Sequence, residues 1–264
     1  MIATSKWDDL KTRTASSLFM VAVGAGEIWL GGPWFMALIV AVCGLMFWEL
    51  VRMLVPGAEG LARALGGLAA LGVPVAIVGN TLLDVLALAV PVLCGAVLIK
   101  RHRLIFNLYA PVIMLAGYAL VILRDREDGL TWLIWLILVV VITDVAGYFA
   151  GRMIGGPKFW PAISPKKTWS GTVAGWIGAG VLGAVFMSIS GAGPVLILIS
   201  MGTSLASQMG DIAESAIKRR VGVKDSSRLI PGHGGVLDRF DGLIGAALLV
   251  LIVMLIYGQV PVVR

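Results

Sequence analysis

Nine apolar runs, each about the length of a membrane-crossing helix, occupy most of this sequence. A helix needs about 20 predominantly apolar residues to cross the hydrocarbon layer of a bilayer. The runs are separated by charged or turn-forming residues and lie at approximately 15–30, 33–51, 61–79, 81–99, 104–123, 130–150, 172–191, 194–213 and 243–258. Runs three and four meet at Gly79-Asn80, where a tight hairpin is expected. This spacing predicts an all-α polytopic integral membrane protein with about nine transmembrane helices.

The composition excludes a water-soluble globular domain. Of the 264 residues, 59% are hydrophobic and only 14% are charged, whereas soluble domains carry about 25% charged residues. Too few polar side chains are present to cover the surface of a soluble fold, so the bilayer must be the main solvent. We divide the chain into five amino-terminal spans (1–129) and a carboxyl-terminal transmembrane region (130–264) with polar loops at 152–171 and 214–242.

The distribution of basic residues predicts which side of the membrane each loop faces. Lys and Arg concentrate in cytoplasmic loops, and with nine spans 18 of the 21 basic residues fall on one side. They lie within 6–13, 52–63, 100–103, 152–167 and 218–239. We therefore place the amino terminus in the cytoplasm, in what we expect to be a bacterial inner membrane. No nucleic-acid-binding motif accompanies the net charge of +6, so we expect no nucleic-acid partner.

One polar segment, residues 211–241, contains too many acidic, basic and glycine residues to be a simple connection between two spans. Its first part continues the eighth helix, and the helical spacing places Asp211, Glu214 or Ser215, and Lys218 on one face. A glycine-rich turn around His233 follows, in which backbone N–H groups can converge on an anion. Asp238 and Asp241 then precede the ninth run, so the chain returns to the surface that it left at Asp211.

Carboxylates beside several cations at a membrane surface favour chemistry on phosphates. Mg²⁺ prefers oxygen ligands and commonly shares its shell between one or two carboxylates, water and substrate phosphates. We expect Asp211 and Asp238 to share one such ion. No Walker P-loop occurs in the sequence. The residues therefore indicate a metal-dependent phosphoryl or nucleotidyl transferase that holds its nucleotide in another way.

Three motifs resemble the phosphatidate cytidylyltransferases, also called CDP-diacylglycerol synthases. The longest runs from Ser215 through Ile217-Lys218-Arg219, Lys224-Asp225 and Ile230-Pro231-x-His233-Gly234-Gly235 to Asp238-Arg239-Phe240-Asp241. The others are Asp144-x2-Gly147-Tyr148-x2-Gly151 and Ser164-Pro165-Lys166-Lys167-Thr168-Trp169-x-Gly171. The last motif departs from the commoner form, which has Glu at Ser170 and Gly-Gly at Ala174-Gly175. Together the motifs cover about 50 residues of the carboxyl-terminal half.

The resemblance implies transfer of CMP from CTP to phosphatidic acid, which gives CDP-diacylglycerol and pyrophosphate and depends on Mg²⁺. It implies metal ligation by Asp211, Asp238 and Asp241, with Asp144 as a further candidate. Phosphate-binding cations would be Lys218, Arg219, Lys224 and Arg239. Contacts to CTP or to the lipid headgroup would come from Ser164, Lys166, Lys167, Thr168, Ser215, His233, Gly234 and Gly235.

Several alternatives stay open from the sequence. A transporter or channel would also carry isolated intramembrane acids, and another lipid nucleotidyltransferase or kinase would act on a polyprenol or an isoprenoid-ether lipid. Gly147-x3-Gly151 and Gly171-x3-Gly175 permit close packing of helices, which need not be packing between two copies of the chain. Association into a homodimer is therefore left open. Glu27, Glu49 and Asp84 have no motif around them. Helix-end snorkelling or interhelical pairing accounts for these three acids, and we assign them no role.

Overall fold

The computed structural model describes residues 6–78 and 81–258. These residues form nine α-helices and one two-stranded hairpin. The helices are α1 (Lys6–Leu30), α2 (Gly32–Leu54), α3 (Glu59–Val78), α4 (Thr81–Leu98), α5 (Arg103–Arg124), α6 (Gly129–Met153), α7 (Trp169–Ser190), α8 (Val195–Val221) and α9 (Leu237–Tyr257), and the strands are β1 (Lys158–Trp160) and β2 (Ser164–Thr168). The hairpin expected at Gly79-Asn80 lies outside the described residues.

Each helix coincides with one of the nine apolar runs, which confirms the all-α polytopic fold. Seven helices, namely α2, α3 and α5 to α9, are long and apolar enough to cross a membrane, and α4 is a shorter apolar helix. Helix α1 begins with a charged segment and is not among the seven within the described residues. The number of spans and the cytoplasmic position of the amino terminus therefore stay predictions.

The chain divides into two compact units. The first consists of the chain up to Asp125 together with Arg220–Phe240, and the second consists of Arg126–Arg219 and the chain from Asp241 onward. The segment between α8 and α9 thus belongs to the same unit as helices α1 to α5. The division into a five-span region (1–129) and a catalytic region (130–264) rests on function and stays a prediction.

In the first unit, α2 packs against α3 and α5 around a core of large apolar side chains. Phe47, Leu50 and Phe106 are fully buried, and the rings of Phe47 and Phe106 meet edge to face at 5.6 Å between centroids. Other faces carry exposed apolar side chains, among them Leu71 and Leu93. Such faces suit contact with lipid, because acyl chains are as apolar as these residues.

In the second unit, glycines let the helices approach closely. A Cβ atom on Gly171 of α7 would lie 2.5 Å from the carbonyl oxygen of Gly147 of α6. This contact confirms that the two Gly-x3-Gly motifs serve close helix packing. Helices α8 and α9 approach in the same way, since a Cβ on Gly210 would overlap the carbonyl oxygen of Asp241.

The hairpin between α6 and α7 was not predicted. Strands β1 and β2 pair antiparallel, with Lys158 opposite Thr168. The segment has no alternation of apolar and polar residues over a usual strand length, so it carries little β signal. At its end, the Thr168 hydroxyl accepts a hydrogen bond from the backbone N–H of Gly171 at 3.3 Å and caps α7. The hairpin therefore fixes the start of α7 and the direction of the two lysines before it.

Candidate active site

A cavity of about 440 Å³ in the second unit gathers two of the sequence motifs. It lies between α6 and α7 and is bordered by strand β2 and by Gln208 of α8. Its lining residues are Thr143, Asp144, Gly147, Tyr148, Gly151, Arg152, Lys166, Lys167, Thr168, Gly171, Thr172 and Gln208. The structure thus brings Asp144, Lys166, Lys167 and Thr168 together around one cavity. Their roles in binding substrate stay predictions.

Three aspartates and one lysine form a charged group that reaches this cavity through Asp144 and Lys167. We call it the aspartate cluster: Asp144, Lys167, Asp211 and Asp241. The Asp144 and Asp241 carboxylates both lie close enough to that of Asp211 to repel it. The Lys167 ammonium lies 2.5 Å from Asp211 Oδ2 and offsets part of this repulsion. Close packing of α8 on α9 at Gly210 holds Asp211 beside Asp241.

At the polar end of α8, the side chains that the helical spacing placed on one face do contact one another. The Ser215 hydroxyl donates to Asp211 Oδ1 at 3.2 Å, and the Lys218 ammonium forms an ion pair with the Glu214 carboxylate one turn earlier. Glu214 is fully buried, and the Lys218 side chain is only 14% exposed. The sequence did not reveal this partner of Lys218, whose expected role as a phosphate binder stays a prediction.

A line of buried polar side chains along α8 also escaped the sequence interpretation. Ser204 accepts a hydrogen bond from Thr143 of α6 at 2.7 Å. Gln208 donates to the carbonyl oxygen of Thr172 at 3.2 Å and accepts from the indole of Trp176 at 2.9 Å. These residues recur at helical spacing, four apart, one and two turns before Asp211, and that spacing is the signal that could have revealed them.

The segment between α8 and α9, residues 222–236, is called the signature loop. An irregular glycine-rich turn was predicted here and is confirmed: Gly232 and Gly234 have φ of 75° and 86°, which side chains rarely tolerate. The backbone N–H of Ile230 donates to the carbonyl oxygen of Gly234 at 2.8 Å and closes the turn. The His233 ring lies 2.9 Å from the Ser17 hydroxyl of α1.

Asp238, in the first turn of α9, organises this loop. Its Oδ2 accepts hydrogen bonds from the Ser226 backbone N–H, the Ser226 hydroxyl and the Gly235 N–H, each at 2.8 Å. The carboxylate predicted to be a metal ligand therefore has a structural role in the loop. Metal ligation by Asp238, and an ion shared with Asp211, stay predictions.

Glu49 of α2 is the largest departure from the sequence interpretation, which gave it no role. Its side chain is fully buried and does not snorkel. Its oxygens accept hydrogen bonds from the Ser227 hydroxyl (2.5 Å) in the signature loop and from the N–H groups of Val236 (3.0 Å) and Leu237 (2.7 Å). The Ser226 hydroxyl also lies 3.2 Å from Glu49 Oε2, but it has one proton to donate and Asp238 Oδ2, at 2.8 Å, is the closer acceptor. No residue pattern near Glu49 predicts these contacts, because the partner residues lie at least 177 positions away in the sequence.

The remaining predicted residues are placed as follows. Arg219, Lys224 and Arg239 are exposed, and Ser164 begins strand β2. Lys224 lines a second cavity, of about 820 Å³, in the first unit, with Trp48, Arg52, Met53, Pro56, Gly57, Glu59, Val221, Val223, Asp225, Ser226, Ser227, Arg228 and Leu229. Ser170, which stands where the family more often has Glu, donates to the Gly155 carbonyl oxygen at 2.5 Å. Across the described residues, no three His, Cys, Asp or Glu side chains are arranged to hold a metal ion by themselves.

Comparison with known proteins places these motifs in a family. The profile of the cytidylyltransferase family matches residues 11–257. The phosphatidate cytidylyltransferase of Brucella suis is 35% identical over 260 residues, which is 95% of each chain. The corresponding protein of Haemophilus influenzae is 43% identical over 130 residues, covering 47% of this chain and 45% of its own, and that of Bacillus subtilis is 42% identical over 122 residues, 45% of each. The chain belongs to the cytidylyltransferase family and is a nucleotidyltransferase enzyme of the membrane.

Proposed function

We propose that this enzyme transfers CMP from CTP to phosphatidic acid at the cytoplasmic face of the membrane. The products are CDP-diacylglycerol and pyrophosphate. One observation carries the proposal beyond family membership: Asp144, Lys166 and Lys167 line one cavity between membrane helices, and Lys167 pairs there with Asp211. The names of the full-length relatives support the choice of phosphatidic acid as the acceptor.

The proposed reaction is an in-line displacement at the α-phosphorus of CTP. A phosphate oxygen of phosphatidic acid forms the new P–O bond, and the bond between the α-phosphorus and the oxygen bridging to the β-phosphate breaks. The leaving pyrophosphate takes the bonding electrons. Since the attacking phosphate is already an anion, no strong base is required, and catalysis consists of positioning and charge neutralisation.

The donor set of the aspartate cluster fits Mg²⁺. Asp211 and Asp241, with Asp144 nearby, offer the carboxylate oxygens that this ion prefers, and substrate phosphates and water would complete its shell. When bound, the ion would neutralise charge that develops on the phosphate oxygens. Mutual repulsion among the three carboxylates favours occupation of the cluster by a cation.

The lysines of strand β2 are the proposed phosphate-binding groups of this cavity. Lys166 lines it and is exposed, and Lys167 already faces a carboxylate at 2.5 Å. A phosphate bound to a cation at the Asp211 carboxylate would lie close to the Lys167 ammonium, because this ammonium is held beside the same carboxylate. Tyr148, another lining residue, is 59% exposed on α6, and lipid would reach the cavity sideways while its acyl chains stay in the bilayer.

The activity test uses purified protein in detergent with CTP labelled at the α-phosphate, phosphatidic acid and Mg²⁺, followed by lipid extraction. We expect label in a lipid that co-migrates with CDP-diacylglycerol and release of one pyrophosphate per lipid formed. Diacylglycerol and a polyprenyl phosphate serve as alternative acceptors. Labelling of the polyprenyl lipid but not of phosphatidic acid would contradict the proposed acceptor.

The cytoplasmic location is tested by single cysteines at Arg220 and Asp128 in a Cys43→Ala, Cys94→Ala background. Both positions are exposed, and the charge pattern places them on opposite sides of the membrane. An impermeant maleimide should label Asp128→Cys from outside intact cells and Arg220→Cys only after the membrane is opened. Equal labelling of both from outside would refute this orientation.

A further inference from the structure

The carboxylate of Glu49 lies in an unusual environment for a membrane helix. It is completely buried near the end of α2, where an uncompensated charge would be very unfavourable. Its Oε1 accepts the Ser227 hydroxyl and the Val236 N–H, and its Oε2 accepts the Leu237 N–H, with the Ser226 hydroxyl 3.2 Å away. These donors compensate the charge, and all of them belong to the signature loop or to the first residue of α9.

These donors come from both ends of the loop. Ser226 and Ser227 lie near its start, and Val236 and Leu237 lie where α9 begins. The first N–H groups of a helix have no partner within the helix, and the helix dipole favours an anion there. Glu49 thus caps α9 from a distant part of the chain and ties the two ends of the loop to α2.

The residues around Glu49 on α2 face the same cavity as the cations of the loop. Trp48 and Arg52, one before and three after Glu49, line the cavity of about 820 Å³ together with Lys224 and Arg228. The guanidinium of Arg52 lies 4.5 Å from the centre of the Trp48 ring. Glu49 is therefore the link that sets the positions of cations from α2 and from the loop around one cavity.

We propose that Glu49 is a positioning residue that holds the signature loop so that Arg52, Lys224 and Arg228 bind a phosphate-bearing substrate. The proposal rests on the proposed CMP transfer for its kinetic readout. Phosphate groups occur on both CTP and phosphatidic acid, so the shared chemistry is an anionic phosphate. Glu49 acts through the loop and does not itself contact substrate.

The test compares Glu49→Gln and Glu49→Asp with the unchanged protein. Glutamine keeps the shape but loses the charge and turns an N–H₂ donor toward other donors, whereas aspartate keeps the charge and shortens the reach. We expect Glu49→Gln to raise KM by about 10-fold or more for one phosphate-bearing substrate, with kcat within about threefold. Glu49→Asp should recover part of the affinity. Separate titrations of CTP and of phosphatidic acid identify the substrate concerned.

The matched control is Glu127→Gln, an exposed acid in the turn before α6, which should leave both KM values unchanged. Ser227→Ala removes one of the donors to Glu49 and gives a milder variant if Glu49→Gln does not fold. A Glu49→Gln protein that loses folded yield while its folded fraction keeps both KM values would overturn the proposal, because that is the result of a purely structural role.

A conformational readout separates this proposal from the proposed reaction. Trypsin should cleave the native Glu49→Gln protein after Lys224 or Arg228 faster than it cleaves the unchanged protein, whatever substrate the enzyme uses. If the unchanged protein forms no CDP-diacylglycerol, the proposed function fails while the cleavage rates still test the loop. Equal cleavage rates together with equal KM values would refute the positioning role.

Discussion

The ion pair between Lys218 and Glu214 makes a sharp prediction about a residue of the family motif. The resemblance alone implies that Lys218 binds phosphate, so that neutralising its charge should weaken substrate binding and leave the fold intact. The structure gives Lys218 a buried anionic partner, since Glu214 is 0% exposed and the Lys218 side chain is 14% exposed. Lys218→Met therefore leaves a carboxylate inside the protein without its ammonium.

The expected loss of stability follows from this burial. Removing one partner of a buried ion pair costs about 3–5 kcal/mol, because the remaining charge stays desolvated and loses its counter-ion. For a protein of this size, about 2–4 °C of Tm corresponds to each kcal/mol. We therefore expect Lys218→Met to lower Tm by roughly 6–20 °C.

A double variant separates the structural from the catalytic role. Glu214→Gln removes the buried charge, and Lys218→Met with Glu214→Gln should recover most of the lost Tm. If Lys218 also binds phosphate, the double variant stays poorly active although it is stable. If it only neutralises Glu214, CMP transfer returns along with stability.

The assay is unfolding in detergent followed by tryptophan fluorescence, with CMP transfer measured on the same preparations. Arg220→Met, at an exposed position two residues later, is the control for loss of one positive charge. A Lys218→Met protein as stable as the Arg220→Met protein would show that the buried pair does not have the energetic role inferred here.

Two further sets of variants test the cluster and the packing. Asp211→Asn and Asp241→Asn should each lower turnover by at least about 10²-fold. The double variant should be scarcely worse, because residues that act as one unit do not contribute additively. If the two losses multiply throughout a Mg²⁺ titration, the aspartates do not share one ion. Gly171→Ala should sharply reduce folded yield, since its Cβ would lie 2.5 Å from the Gly147 carbonyl oxygen; Gly67→Ala, with open space around it, is the control, and equal yields from size-exclusion chromatography would refute the packing argument.

The helices were predictable because the bilayer imposes a simple rule. Only long apolar segments with internally satisfied backbone can cross it, so run length alone located nine elements. Helix ends were less accurate where polar residues continue the helix: α8 extends to Val221, and α9 begins at Leu237, six residues before the predicted start. Apolar run length gives no information on a helix once it leaves the hydrocarbon region.

The aspartate cluster was predictable in part. Asp144, Asp211 and Asp241 were candidates because their motifs are specific, and the helical spacing correctly joined Asp211 to Ser215. The helical spacing placed Glu214, as an alternative to Ser215, on the same face as Lys218, but it did not identify Glu214 as the ion-pair partner of Lys218. The contact of Lys167 with Asp211 depends on how hairpin and helix pack, which no local pattern encodes.

The signature loop shows why a conserved-looking motif need not consist of reactive groups. A Cβ on Gly235 would overlap both the Ser226 hydroxyl and the Glu49 carboxylate, and Asp238 receives three donors from the loop itself. Part of the motif therefore specifies how the loop folds around two carboxylates. Since the amide donors of Val236 and Leu237 are backbone groups, every chain with this loop presents them. We thus expect a related chain that lacks an acid at the position of Glu49 to supply another buried acceptor there, because two unsatisfied backbone donors could not stay buried at the start of a membrane helix.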